Sequence, residues 1–258
     1  MLIDRLSPSM VLDYNNCPLL FYYRYIAKIH LPTKQIHLVF GGAVHEAIEA
    51  MYENKNSEEA FKAKFDKKKL LKEERELYPE YYKLGLEMVK NYQKEHKMLN
   101  SLYDLNDGKS EIYFREKVKN PLTSELSSIP LSGRIDRLTT KGRIIEYKTS
   151  KNLWNSEDIS FKVQTLLYNL WYYTKYNKLP EETLYFILLK KYKKVGKGEV
   201  VQVLSNHSTL DELASTFEEL KLIIEKIENR QFDRPAGYHP RYCDCYRYSE
   251  LLNFENRS

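Results

Sequence analysis

The 258-residue chain has only three cysteines, a small and odd number that argues against a disulfide framework. No apolar run approaches the roughly 18–20 residues of a membrane span. The opening Met1-Leu2-Ile3-Asp4-Arg5-Leu6-Ser7-Pro8 lacks a basic stretch leading into an apolar core. No membrane partner and no secretory leader are therefore expected, and a cytoplasmic location is. Internal repeats and low-complexity linkers are missing as well. So is any large charge excess: 41 Lys and Arg against 36 Asp and Glu leave +5, which fits a nucleic-acid groove without requiring one.

What is present is ordinary in bulk, with 42% hydrophobic and 30% charged residues and a mean hydropathy of −0.61. The length is enough for one large domain or two small ones with a real core. Less ordinary are 22 tyrosines, often interleaved with lysine, as in Lys190-Lys191-Tyr192-Lys193-Lys194. Aromatic faces stack on unpaired bases while lysines meet phosphates. The same run also describes an exposed strand end.

Local patterns predict the elements. Residues 7–27 read as helical, capped by Ser7 or Ser9, with Pro18 starting a second helix. Met10, Leu12, Tyr14, Leu19, Leu20 and Tyr23 supply its apolar contacts. A loop near Leu31-Pro32-Thr33 precedes a helix over 40–52, marked by Val44, Ala47, Ile48 and Met51. A charged helix is expected over 57–75, with Phe61, Phe65, Leu70 and Leu71 inward, and another over 79–101. After Asp107-Gly108 the period shortens. Strands are expected around Ile112, Phe114 and Val118, over 131–138 and over 143–147. A helix over 157–176, an interior strand over 184–189, an edge strand over 200–204 and an amphipathic helix over 209–229 complete the chain. The fold class is α/β: a central mixed sheet flanked by helices, with a helical N-terminal half. One domain is expected, helical over 1–105, α/β over 106–230, with a cysteine-containing tail over 231–258.

The densest chemistry lies in Gly133-Arg134-Ile135-Asp136 and Ile145-Glu146-Tyr147-Lys148. If Thr140-Lys141-Gly142 is a three-residue hairpin loop with Gly142 left-handed, Leu138 faces Ile144 and Asp136 faces Glu146. Opposed side chains then sit roughly 4.5–5.5 Å apart at Cβ, close enough to share a cation. Lys148, two residues on, projects from the same face. Two carboxylates holding a divalent cation beside a lysine can hydrolyse a phosphodiester. A surface salt-bridge ladder neutralised by Arg134 or Lys148 is the other explanation. His45 and Glu49, four apart, point the same way, and an imidazole in the ligand set would tilt preference from magnesium toward manganese. Gln164 and Tyr168 form a second pair at that spacing.

Taken in order, these features resemble the RecB-like branch of the PD-(D/E)xK nucleases: Cys17-Pro18, Gly41-x3-His45-x3-Glu49, Gly133-Arg134-Ile135-Asp136, Glu146-Tyr147-Lys148 and Gln164-x3-Tyr168. That branch includes the nuclease domains of RecB and AddB and the small CRISPR-associated adaptation nucleases. The resemblance implies a restriction-endonuclease-like core. It implies Asp136, Glu146 and the Tyr147 carbonyl as ligands of Mg²⁺ or Mn²⁺, with His45 as a further ligand and Glu49 supporting it. Lys148 would position the attacking water, and Gln164 and Tyr168 would position DNA. The implied activity is a metal-dependent DNA nuclease, an exonuclease on single strands or duplex ends in recombination, repair or phage DNA processing. The alternatives are a CRISPR-adaptation nuclease trimming spacers and a non-catalytic DNA-binding module. A homo-oligomer or an integrase or recombination partner is compatible with each. Many members hold an iron–sulfur cluster on four cysteines. Here only Cys17, Cys243 and Cys245 exist, so a cluster on four cysteines of this chain is excluded. Either His239 supplies a fourth ligand, to a cluster or zinc, or the cysteines pack as small apolar residues.

Overall fold

The computed structural model describes residues 1–30, 35–155, 163–190, 201–234 and 243–249. Helix α1 (Pro8–Asn16) begins where Ser7 accepts a 3.3 Å hydrogen bond from the Met10 N–H and Pro8 fills the first turn. Cys17 breaks it with extended backbone, and Pro18 opens α2 (Pro18–Phe21), which continues into a π-helical turn over Tyr22–Ile26. Leu12, expected to pack, lies on the outer face and is exposed. The expected loop at 31–33 falls outside the described residues.

Helix α3 (Ile36–Tyr52) buries Phe40, Val44, Ala47 and Ile48 along one stripe. Asn56 caps α4 (Ser57–Lys64) by accepting from the N–H groups of Glu58 and Glu59. The expected helix over 57–75 stops at Lys64. Short 3₁₀ segments at Lys67–Lys69 and Lys72–Leu77 follow, then α5 (Tyr78–Tyr103). The reason is geometric. At 3.6 residues per turn, residues five apart point roughly 140° away from each other, yet Phe65 and Leu70 are both buried in the same core. The break brings them together, and Asp66 supports it by accepting from the Lys68 N–H at 2.9 Å.

Five strands follow: β1 (Gly108–Glu116), β2 (Leu131–Thr139), β3 (Arg143–Ser150), β4 (Glu182–Leu189) and β5 (Val201–Asn206). They lie in the order β1-β2-β3-β4-β5, with β3 and β4 parallel and the other pairs antiparallel. Val118 lies beyond the end of β1 but is buried. Helix α6 (Val163–Tyr176) connects the parallel pair; the expected start of that helix, at 157–162, is outside the described residues. A Thr209–Glu212 capping box starts α7 (Leu210–Glu228). The result is a mixed sheet flanked by helices, as expected for the restriction-endonuclease-like α/β class.

Each face of the sheet has its own core. Phe114, Ile135, Leu138 and Ile144 pack with Trp171 of α6 and Phe217 of α7. Ile145, Tyr147 and Phe186 pack on the other side with Phe40 of α3 and Tyr92 of α5. The catalytic candidates sit where β2, β3, α3 and α6 meet.

Gly85 shows how tightly the helical layer is filled. Alanine there gains about 1 kcal/mol of helix propensity, but its Cβ would collide with the Phe61 ring. Phe61 is fully buried among the rings of Phe40, Phe65 and Tyr82, so any shift of it disturbs them. Overpacking outweighs propensity, so Gly85→Ala should lose a net ~1–2 kcal/mol in urea unfolding. An unchanged or higher midpoint would show that the ring can step aside.

Candidate active site

The β2–β3 hairpin has the three-residue loop Thr140-Lys141-Gly142. Gly142 is at φ 88, and its N–H donates to the Thr139 carbonyl at 3.0 Å. Leu138 pairs with Ile144 and Arg137 with Ile145, and there the ladder ends. One step further, the Tyr147 N–H donates to the carboxylate of Asp136, at 2.8 Å from Oδ2. On the other side of β2, Ser110 pairs with Arg137 and Ile112 with Ile135, but Glu111, facing Asp136, has no ladder partner and sits at φ 52. Asp136 therefore stands at a kink where both neighbouring strands let go. The kink also shifts side-chain alternation. Ile135 and Leu138, three apart, enter the same core, which a regular strand forbids. Arg137 turns the other way and lays its guanidinium 3.8 Å from the Tyr52 ring centroid. The expected direct opposition of Asp136 and Glu146 is replaced by a hairpin that opens at these residues.

Side chains from four elements converge in the opening. His45 Nδ1, on α3, lies 3.4 Å from Asp136 Oδ1. Lys148 Nζ, on β3, donates to Glu146 Oε2 at 3.0 Å and to Gln164 Oε1 at 2.9 Å. Gln164 Nε2, on α6, donates to Glu146 Oε2 at 2.7 Å and to the Tyr168 hydroxyl at 3.2 Å. Tyr168 in turn donates to the Arg134 carbonyl at 2.7 Å. Its ring packs against Gly133, where a Cβ would lie 2.8 Å from Tyr168 Cε1. Glu146 is 1% exposed, and its Oε1 is buried with no hydrogen-bond partner among the described residues. An open groove of about 1320 Å³ leads to the cluster, lined by His45, Asp136, Glu146, Lys148, Gln164 and Tyr168 among others.

Burial raises the Glu146 carboxyl to about 7, and Asp136 adds to the shift while Lys148 opposes it. Asp136 is penalised by the same burial, but His45, Lys148 and the Tyr147 N–H more than offset it and hold its pKa below the usual value. Lys148 is held above the usual lysine range, its burial outweighed by Glu146 and Asp136. His45 is likewise raised, burial being outweighed by Asp136.

A sequence profile of the PD-(D/E)XK nuclease superfamily matches residues 5–248. The chain belongs to that superfamily. Among solved structures, a protein described as "Putative exonuclease" from Eubacterium rectale superposes with a TM-score of 0.57 at 14% identity, over 95% of this chain and 88% of that one. At that identity the likeness concerns the fold alone. SSO0001, also 14% identical over 91% of each chain, reaches a TM-score of only 0.36, and nothing rests on it. No curated protein matches the chain.

Members of the PD-(D/E)XK superfamily generally use divalent metals, and the residues present fit one. Two buried carboxylates, one with an oxygen that has no partner among the described residues, and an imidazole form a donor set for a hard or borderline cation. Glu49 lines a small cavity beside His45, together with Asp136 and Tyr147, but among the described residues no hydrogen bond joins it to His45. Two features of this PD-(D/E)XK site escaped sequence reasoning. Glu111 lines the same small cavity, meets Arg134 Nη1 at 2.6 Å and is pushed up to about 7 by burial, against the pull of Arg134. Behind β3, the hydroxyls of Tyr52, Tyr92 and Tyr147 form a triangle with sides of 2.9, 2.9 and 3.2 Å, fastening α3 and α5 to the strand. Only the β1–β2 register could have signalled the first, and only the α3–α5 packing the second.

The three cysteines gather far from this cluster in sequence. The sulfurs of Cys17, Cys243 and Cys245 lie within 4.8 Å of one another, all buried, and burial raises each thiol. The Cys245 N–H donates to Cys243 Sγ at 3.4 Å. Arg24 braces the same junction, reaching Asp13 at 2.9 Å and Asp244 at 3.0 Å. With three cysteines in the whole chain, a four-thiolate cluster does not fit. His239 and the lysine-tyrosine run at 191–194 lie outside the described residues.

A cation must displace the proton that burial favours on Glu146, and it must meet an uncharged His45. Affinity for Mn²⁺ should therefore rise as pH climbs through about 7, with proton release on binding from Glu146 below that point and from His45 wherever its raised pKa keeps it charged. Calorimetric titration in two buffers of different ionisation enthalpy reads both. Affinity independent of pH between about 6 and 8 would contradict this protonation state.

Proposed function

We propose that the chain is a metal-dependent deoxyribonuclease that hydrolyses phosphodiester bonds, acting as an exonuclease on single-stranded DNA or duplex ends. The observation that carries this reading is the buried Oε1 of Glu146 beside Asp136, without a hydrogen-bond partner among the described residues, with Lys148 tethered next to it. A buried carboxyl oxygen without a partner is costly, and a cation reaching it through the groove that Glu146 lines would supply one. Mg²⁺ or Mn²⁺, held by Asp136, Glu146, His45 and the Tyr147 carbonyl, would supply Lewis acidity toward water and phosphate.

The remaining work falls to the chain's own groups. Lys148 keeps its proton because two carboxylates favour the charged form, so it offers positive charge and N–H donors to a phosphate oxygen or to the attacking water. Gln164 fixes its position: one amide atom accepts from Lys148 and the other donates to Glu146, so neither neighbour can swing independently. Tyr168 anchors this pair to the backbone two residues before Asp136. The exonuclease reading draws support from the likeness to the Eubacterium rectale protein and its description.

Asp136→Ala and Lys148→Ala should each lower the cleavage rate by at least about 10²-fold on labelled DNA with Mg²⁺ or Mn²⁺, with binding retained. Gln164→Ala should lose roughly tenfold by freeing Lys148. If wild type and all three variants are equally inert on single strands and duplexes with every metal, the deoxyribonuclease reading fails.

A further inference from the structure

We infer that Tyr113 and Arg134 form a platform on which an unpaired base of single-stranded DNA stacks next to the phosphate being cleaved. This rests on the nuclease reading above and names the form of strand the site takes.

Tyr113 lies in the interior of β1 yet is 72% exposed, so most of a large aromatic face stands in water. It pairs across the ladder with Arg134, and the two side chains share a face. Arg134 Nη1 donates to the Tyr113 hydroxyl at 3.3 Å, and its guanidinium carbon lies 5.8 Å from the ring centroid. The same nitrogen is held by Glu111 at 2.6 Å. The ring is thus restrained at its rim while its surface stays open. Planar guanidinium beside planar phenol extends the area available to a base.

Position supplies the substrate. Both residues line the groove that contains His45, Asp136 and Lys148, and Arg134 is two residues from Asp136. Two strand residues span roughly 6.6–6.8 Å, the scale of one nucleotide step. A phosphate at Asp136 and Lys148 therefore brings its neighbouring base toward Tyr113. Inside a duplex both faces of that base are covered by adjacent pairs; in a single strand a face is free to stack. Lys28, which also lines the groove, makes no ion pair among the described residues and can meet the backbone phosphates.

The test compares wild type, Tyr113→Ala and Tyr113→Phe in two assays. Binding of a fluorescein-labelled oligothymidylate and of a duplex closed at both ends by hexaethylene glycol linkers is read by anisotropy in Ca²⁺. Cleavage of the oligonucleotide and of an oligomer of abasic tetrahydrofuran residues, which has no base to stack, is read with Mn²⁺. Loss of one stacked base should weaken single-strand binding of the Ala variant roughly tenfold. The Phe variant should stay within about twofold of wild type, and duplex binding should not change. The Ala variant should lose kcat/KM on the oligonucleotide and keep it on the abasic oligomer. Equal single-strand affinity for Ala and wild type overturns the platform, as does an equal loss on the closed duplex or on the abasic oligomer. Wild type that cleaves neither substrate but shows the binding pattern removes the nuclease reading and leaves the platform standing.

Discussion

The bond from the Tyr147 N–H to the Asp136 carboxylate sets the geometry of everything around it. A backbone donor buried in a sheet has to be satisfied, and here a side chain does what a strand carbonyl ordinarily would. The ladder is released after two paired positions. On the opposite side Glu111 takes a left-handed backbone conformation and gives up its own partner. Space for the side-chain cluster is made by opening the sheet at one residue, and the tyrosine triangle behind β3 ties the strand to α3 and α5 there.

The charges gathered there are nearly balanced among themselves. Asp136 has His45 and a backbone donor, while Glu146 has Lys148 and Gln164 on one oxygen. Removing such groups from water costs several kcal/mol each unless partners are well placed. Among the described residues every oxygen of the pair has a partner except Oε1 of Glu146. Burial accordingly pushes Glu146 upward in pKa, whereas Asp136 is pulled down, and two chemically similar acids come to behave differently. The imbalance is local and sits where the groove ends, which is where a folded protein tolerates a destabilised group in exchange for reactivity.

Patterns with a short physical range were readable in the chain. The stripe of Val44, Ala47 and Ile48, the Gly142 turn with the Leu138–Ile144 register, and the Gln164–Tyr168 spacing each follow from one element's own period. The helix over 57–75 misled because its charged sequence suits a helix locally. The demand to bury Phe65 and Leu70 together comes from the aromatic cluster they join. Glu111 and Arg137 were invisible for a related reason: strand alternation is a local rule, and the kink that breaks it exists only because β1, β2 and β3 compete for the same residue.

The sequence by itself determined which groups are available: two acids on a hairpin, a lysine two residues on, a histidine on one helix and a glutamine on another. Its periodicities were enough to give an α/β sheet flanked by helices. Only the tertiary structure decided how those groups meet. It opened the hairpin at Asp136, left one Glu146 oxygen without a partner among the described residues, set Tyr113 against Arg134, and brought Cys17 beside Cys243 and Cys245. Periodicity fixes where a side chain points from its own element; which hydrogen bond a buried donor takes is settled by every neighbour packed around it.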